Sequence, residues 1–167
     1  MNKRLKSQDG LASFFIQNMA TFNQQLERSK NVTSEIISRE LFAFIKTVSE
    51  YMVELNKKQI NQDSQDIYGK AIGFYSKATE LLTNGAKGAG EPFTGKDTGD
   101  WLDKFYVTVL DDVFFFGSTD PKTDDILDSP HWLSSSLFGL TDKNLKDVID
   151  TKILPFVLKN NREKIGL

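Results

Sequence analysis

Apolar residues recur at helical spacing along most of the chain. Leu11, Phe15, Met19, Phe22 and Leu26 lie three or four positions apart and share one face, which predicts a helix over 10–29. Asp9 or Ser7 is placed to cap its start. A second stripe of Ile37, Leu41, Phe44, Ile45, Val48, Met52 and Leu55 predicts a helix over 34–59. Phe42, Val53 and Ile60 form another line about 100° around that helix, and Tyr51 lies on its other flank. The apolar arc is then about 200° wide. Such an arc fits the central helix of a domain or a helix with a second partner. After the break at Asn61-Gln62-Asp63-Ser64, the spacing of Ile67, Tyr68, Ala71, Phe74, Tyr75, Ala78, Leu81 and Leu82 predicts a third helix over 65–83.

Leu102, Phe105, Tyr106, Val109, Val113 and Phe116 predict a fourth helix over 100–116. Strand competes here, because Phe-Tyr-Val-Thr-Val is aromatic and β-branched. Length and the spacing of Asp103, Asp111 and Asp112 favour helix. Between the third and fourth helices, residues 85–99 read GAKGAGEPFTGKDTG, a glycine-rich sequence expected to form a flexible loop. Further on, Ser129-Pro130 predicts a short helix reaching Phe138, where Gly139 stops it. Thr141 is placed to cap the next helix, with Leu145, Val148 and Ile149, and Pro155 kinks or restarts the chain. Asn160 to Leu167 reads as a polar, basic, fraying tail. The fold expected is all-α: one antiparallel bundle over residues 1–167, with four longer helices, two or three short C-terminal ones, and the 85–99 loop dividing two helical halves.

The composition narrows the chemistry. The chain has 167 residues, no cysteine and one histidine. That length suits one domain, and disulfides, thiolate sites and multi-histidine metal sites within one chain are excluded. The net charge of −2 gives no overall attraction to nucleic acid. Thirteen phenylalanines call for a core or an interface. The basic start, Met1 to Lys6, runs into Ser7-Gln8-Asp9-Gly10 rather than an apolar stretch, so no secretory signal is expected. Apolar runs such as Val113-Phe114-Phe115-Phe116 are too short to span a bilayer. A cytoplasmic protein without membrane partners is the expectation.

Several constellations imitate active sites. Gly90-Glu91-Pro92-Phe93-Thr94-Gly95-Lys96 has P-loop spacing, but Asp97 stands where a magnesium-binding hydroxyl is required and no strand precedes it. Asp120, Asp124, Asp125 and Asp128 lie close to His131, and carboxylates with an imidazole can bind a divalent metal. Turn formation and capping explain those aspartates as well. His131 and Ser135 share a helix face, yet no strained turn presents the serine as a nucleophile. Asp111 and Asp112 are adjacent and would point about 100° apart on a helix, so they form no dyad. Lys57, Lys58, Lys70 and Lys77 could touch phosphates if the fold converged them. A solubilising surface is the simpler reading.

These observations favour a non-catalytic scaffold or binding subunit of a larger assembly, with Phe42, Tyr51, Val53 and Ile60 as its partner interface. The partner would be another protein or a second copy. One version is a small subunit of a nucleoprotein complex, of the kind found in RNA-guided effectors, with Lys57, Lys58, Lys70 and Lys77 making sequence-independent phosphate contacts. That analogy is one of size and class, and no residue motif carries it. The alternative is an Asp/His metal-dependent hydrolase centred on residues 120–131. No cofactor is expected for the scaffold reading.

Overall fold

A computed structural model describes residues 20–95, 100–127 and 134–167. The described elements are α1 (Phe22–Lys30), α2 (Ser34–Thr47), α3 (Ser49–Asn61), α4 (Lys77–Leu82), α5 (Asp100–Asp103), β1 (Phe105–Leu110), β2 (Val113–Ser118), α6 (Thr123–Leu127), a 3₁₀ turn (Ser135–Leu137), α7 (Asp142–Val148), a π-helical turn (Ile149–Ile153) and α8 (Leu154–Ile165). The chain is mostly helical, but the expectation of an all-α bundle is overturned by an antiparallel two-stranded sheet.

That sheet replaces most of the fourth predicted helix. Only Asp100–Asp103 is helical. Phe105 pairs with Ser118 and Leu110 with Val113, so Asp111-Asp112 is a two-residue hairpin turn. Asp111 takes φ 52°, a left-handed conformation that Asp tolerates better than most residues. The β-branched and aromatic sequence therefore outweighs the helical spacing, because the pleat sorts these side chains onto two faces. Val107, Val109, Phe114 and Phe116 pack inward against the core.

The helix predicted over 34–59 is real but broken. Val48, at φ −107° and ψ 8°, ends α2 and begins α3. On either side the Thr47 hydroxyl donates to the Phe44 carbonyl (2.7 Å) and the Ser49 hydroxyl to that of Lys46 (2.9 Å). Both hydroxyls bind carbonyls of the final turn of α2, where helix and side chain compete. The third predicted helix survives only as α4. Before it, Asp66 Oδ1 accepts from the Tyr68 and Lys70 amides (both 2.9 Å), and Gly69 takes φ 71°. This turn brings Gln65 opposite Ala71.

The 85–99 region is not a free loop over its described part. Tyr75 N–H donates to the Glu91 carbonyl, Gly90 N–H to that of Tyr75, and Phe93 N–H to that of Gly73, each at 2.9 Å. The first half of the helix predicted from 129 to 138 lies outside the described residues, and the second half is a 3₁₀ turn between extended Ser134 and Phe138 rather than an α-helix. The helix predicted over 10–29 is interrupted at its described end: Thr21 is extended and caps α1 in a capping box with Gln24. Thr141 caps α7 as expected, its hydroxyl accepting from the Asn144 amide. Pro155 follows the π-helical turn at the start of α8, and Ile153 and Leu154 before it keep right-handed helical angles, so the chain passes from one helical segment into the next. The expected fraying tail is instead helix to Ile165, closed by left-handed Gly166.

Two apolar clusters flank α3. Val53, Ile60, Ile72, Trp101, Leu102, Phe105 and Leu137 form one. Ile45, Met52 and Val148 form the second, joined by Phe42, Tyr51 and Val109 among others. Val107 packs against both. The broad apolar arc has this cause: α3 is the central helix, with a cluster on each flank. Asn56 and Gln59, fully buried between them, anchor the segment before α7. Asn56 Nδ2 donates to the Leu137 (2.9 Å) and Gly139 (2.7 Å) carbonyls, and Gln59 Oε1 accepts from the Thr141 amide (2.8 Å).

Candidate interaction surface

The residues named from the sequence as a partner interface mostly face inward. Ile60 is wholly buried and Val53 is 8 % exposed. Phe42 is half-buried against the second cluster. Tyr51 is half-buried too, and its hydroxyl donates to the Asp147 carboxylate. The Lys152 ammonium lies 4.7 Å from the Tyr51 ring centre. Phe42 and Tyr51 thus meet in one cluster, Val53 and Ile60 in the other, and none of the four builds an open apolar face.

The lysines do not gather at one site. Lys57 bridges Glu54 (3.0 Å) and Asp103 (3.5 Å) beside β1. Lys77 pairs with Glu80 (2.7 Å) on α4. Lys70 lies 5.9 Å from the centre of the Tyr68 ring and lines a separate depression with Ser134, Ser135 and Ser136. Lys58 is exposed near the end of α3. Three of the four are therefore engaged with their own neighbours, on different elements.

The acidic candidates hold local structure. Asp120 Oδ1 accepts from the Lys122 amide (2.8 Å), and its carbonyl accepts from the Thr123 amide (3.0 Å). Asp124 and Asp125 are exposed in the first turn of α6, where acidic side chains complement the helix dipole. Asp128 and His131 lie outside the described residues. Among the described residues, no group of three or more His, Asp or Glu side chains could hold a metal ion. The lysine and aspartate of the P-loop imitation, Lys96 and Asp97, also lie outside the described residues.

The feature that the helical reading missed is the outer face of the hairpin. Tyr106, Leu110, Val113 and Phe115 point away from the core and are 41 %, 60 %, 47 % and 49 % exposed. The register sets Leu110 directly opposite Val113 and Phe115 opposite Thr108. Gly117 faces Tyr106, and a Cβ there would come within 2.7 Å of the Tyr106 hydroxyl, so the ring lies across the glycine. Neither strand contains a charged residue or a proline. Those are the usual devices that keep a sheet from associating. The alternation in Phe-Tyr-Val-Thr-Val, followed by two turn-forming aspartates and a second apolar run, was the sequence signal for this face.

Comparison with protein-family models, with curated proteins and with solved structures finds no match for this chain. Among the described residues, no helix is long and apolar enough to cross a membrane.

Proposed function

We propose that this chain is a non-catalytic interaction subunit that docks onto a partner protein through the outer face of its β-hairpin. One observation carries the reading: Tyr106, Leu110, Val113 and Phe115 form an exposed apolar face on strands with no charge or proline. Contiguous exposed apolar surface marks interaction sites. A hairpin face also presents its side chains at fixed spacing, because the inward residues are locked in the core. The interface thus moves from the α3 residues of the sequence reading to the hairpin.

The phosphate-contacting version gains no support from the lysine positions, because the four lie on different elements and Lys57 and Lys77 are already paired with carboxylates. The test is affinity capture of tagged protein from its native host, with Phe115→Lys/Leu110→Lys beside wild type. The expected result is a stoichiometric partner retained by wild type and lost by the variant at unchanged melting temperature. Equal recovery of partners by both proteins would remove the hairpin face from the interface.

A further inference from the structure

A second surface runs along the edge of the same hairpin. Ser49, Glu50, Val53, Glu54 and Lys57 line one side of a groove, and Phe105, Tyr106 and Val107 line the other. The α3 residues recur every three or four positions and form one helical stripe. The three β1 residues are consecutive, so their side chains alternate between the two faces of the sheet. A groove touching all three therefore follows the strand's edge. That edge is the one away from β2, since among the described residues the sheet has two strands.

In an antiparallel pair, every second residue turns its N–H and C=O away from the partner strand. Among the described residues, the backbone groups of Phe105–Leu110 bond to nothing beyond β2. A strand edge lying beside a helix is the geometry in which an extended peptide adds as a further strand. The helical stripe from Ser49 to Lys57 is about 12 Å long at 1.5 Å per residue. About four extended residues span that length.

The charge of the groove selects the ligand. Glu50 and Glu54 are exposed on its helical wall, and Asp103 stands just before β1. Lys57, the groove's one cation, is already held between Glu54 and Asp103. Lys104 is exposed but does not line the groove. Among the residues that line the groove, two carboxylates, Glu50 and Glu54, stand against the Lys57 ammonium and leave the wall acidic, while Val53, Phe105 and Val107 make the floor apolar.

We infer that the groove between α3 and β1 binds an extended segment of alternating basic and apolar residues, which pairs antiparallel or parallel with the free edge of β1. The backbone ladder supplies register, the apolar side chains meet the floor, and the basic ones meet Glu50 and Glu54. This inference stands apart from the outer-face reading, because it uses the strand's edge and the opposite charge logic.

The test titrates a fluorescein-labelled Lys-Val-Lys-Val-Lys-Val peptide against the full chain, read by anisotropy and by amide exchange of β1. Saturable binding is expected, with exchange slowed at alternate residues of β1. Four comparisons accompany it. A Glu-Val-Glu-Val-Glu-Val peptide should bind at least tenfold more weakly. N-methylation of every second peptide amide, in one of the two phases, should weaken binding at least tenfold. Glu50→Lys should weaken it at least fivefold without lowering the melting temperature. Phe115→Lys on the outer face should leave it within twofold, so that failure here and failure of the outer-face reading are told apart. Equal affinity for the two peptides, indifference to N-methylation in both phases, or no binding at millimolar peptide would each overturn the inference. So would a dimer in sedimentation analysis whose β1 edge is already protected without peptide, since a second copy would then occupy the edge.

Discussion

The hydroxyl of Tyr51 on α3 donates to the carboxylate of Asp147 on α7, tying two elements 96 residues apart. The hydrogen bond to Asp147, burial of the ring, and the Asp147 charge together raise the Tyr51 pKa above the ordinary 10.0. A raised folded value means that the neutral phenol is favoured by folding. The stabilisation is complete below about pH 10 and is lost as pH rises through the folded value. Tyr51→Phe is expected to cost about 1.5–3 kcal/mol at neutral pH, the worth of one hydrogen bond to a charged acceptor. The variant should also lose stability less steeply above pH 10. Denaturant melts at pH 7 and pH 10.5 measure both effects; equal slopes for the two proteins would remove Tyr51 from the alkaline transition.

Gln59 carries a heavier structural role than its polarity suggests. Its Oε1 accepts from the Thr141 amide (2.8 Å) and from Asn144 Nδ2 (3.1 Å), and its Nε2 donates to the Gly139 carbonyl (3.3 Å). Gln59→Leu keeps the volume and orphans a buried amide. The expected loss is about 3 kcal/mol, from one or two buried groups left unpaired at 1–3 kcal/mol each. Gln59→Glu at neutral pH should be worse, because the Gly139 carbonyl would then face a carboxylate. Chemical denaturation gives the values; a loss under about 1 kcal/mol for Gln59→Leu would mean that water takes over the bonds.

The parts of the fold legible in the sequence were those fixed by local rules. Thr141 acts where capping places it, and the α3 arc foretold a helix packed on two flanks. What failed was periodicity in segments where a turn residue outweighs it. Ile67, Tyr68, Ala71 and Phe74 have helical spacing, yet Asp66 and Gly69 close a turn, and Tyr68 and Phe74 end up exposed. Over 105–116 the same residues satisfy both a helical and an alternating pattern. The two-residue Asp111-Asp112 turn decides between them by letting two strands share one pleated, core-facing surface. The residues named as an interface turn inward for a related reason. Apolarity alone cannot tell a second partner from a second core cluster, and Val53 and Ile60 met the latter.

Glu40 fastens the C-terminal helix. It accepts from Asn160 Nδ2 (2.6 Å) and from the Lys164 ammonium, both on α8. The Lys164 and Asn160 hydrogen bonds hold its carboxyl below the ordinary 4.5. A depressed folded value supplies stability above about pH 4.5, which is lost as pH falls through the folded value. In wild type, amide protection of α8, corrected for intrinsic exchange, should therefore drop on acidification. Glu40→Gln should start lower at pH 7 and drop less. Parallel acid profiles for the two proteins would show that another carboxylate controls the docking of α8.

Adjacent residues of β2 should respond in opposite ways to the same substitution. Phe115 lies on the outer face and is 49 % exposed, whereas Phe116 turns inward against the second cluster. Phe115→Lys removes exposed apolar surface and buries no charge, so its effect on stability should stay within about 0.5 kcal/mol. Phe116→Lys removes a packed ring and brings an ammonium toward the core, at a cost of about 3 kcal/mol or more. Binding of a dye that reports exposed apolar surface should fall for Phe115→Lys and rise for Phe116→Lys as the core loosens. This contrast tests the pleat itself, since a helix would set the two rings about 100° apart and blur it. If both variants destabilise equally, the outer face is covered by the chain's own residues and cannot be the docking surface. If they separate as expected, Phe115 is free to meet a partner while Phe116 holds the strand that presents it.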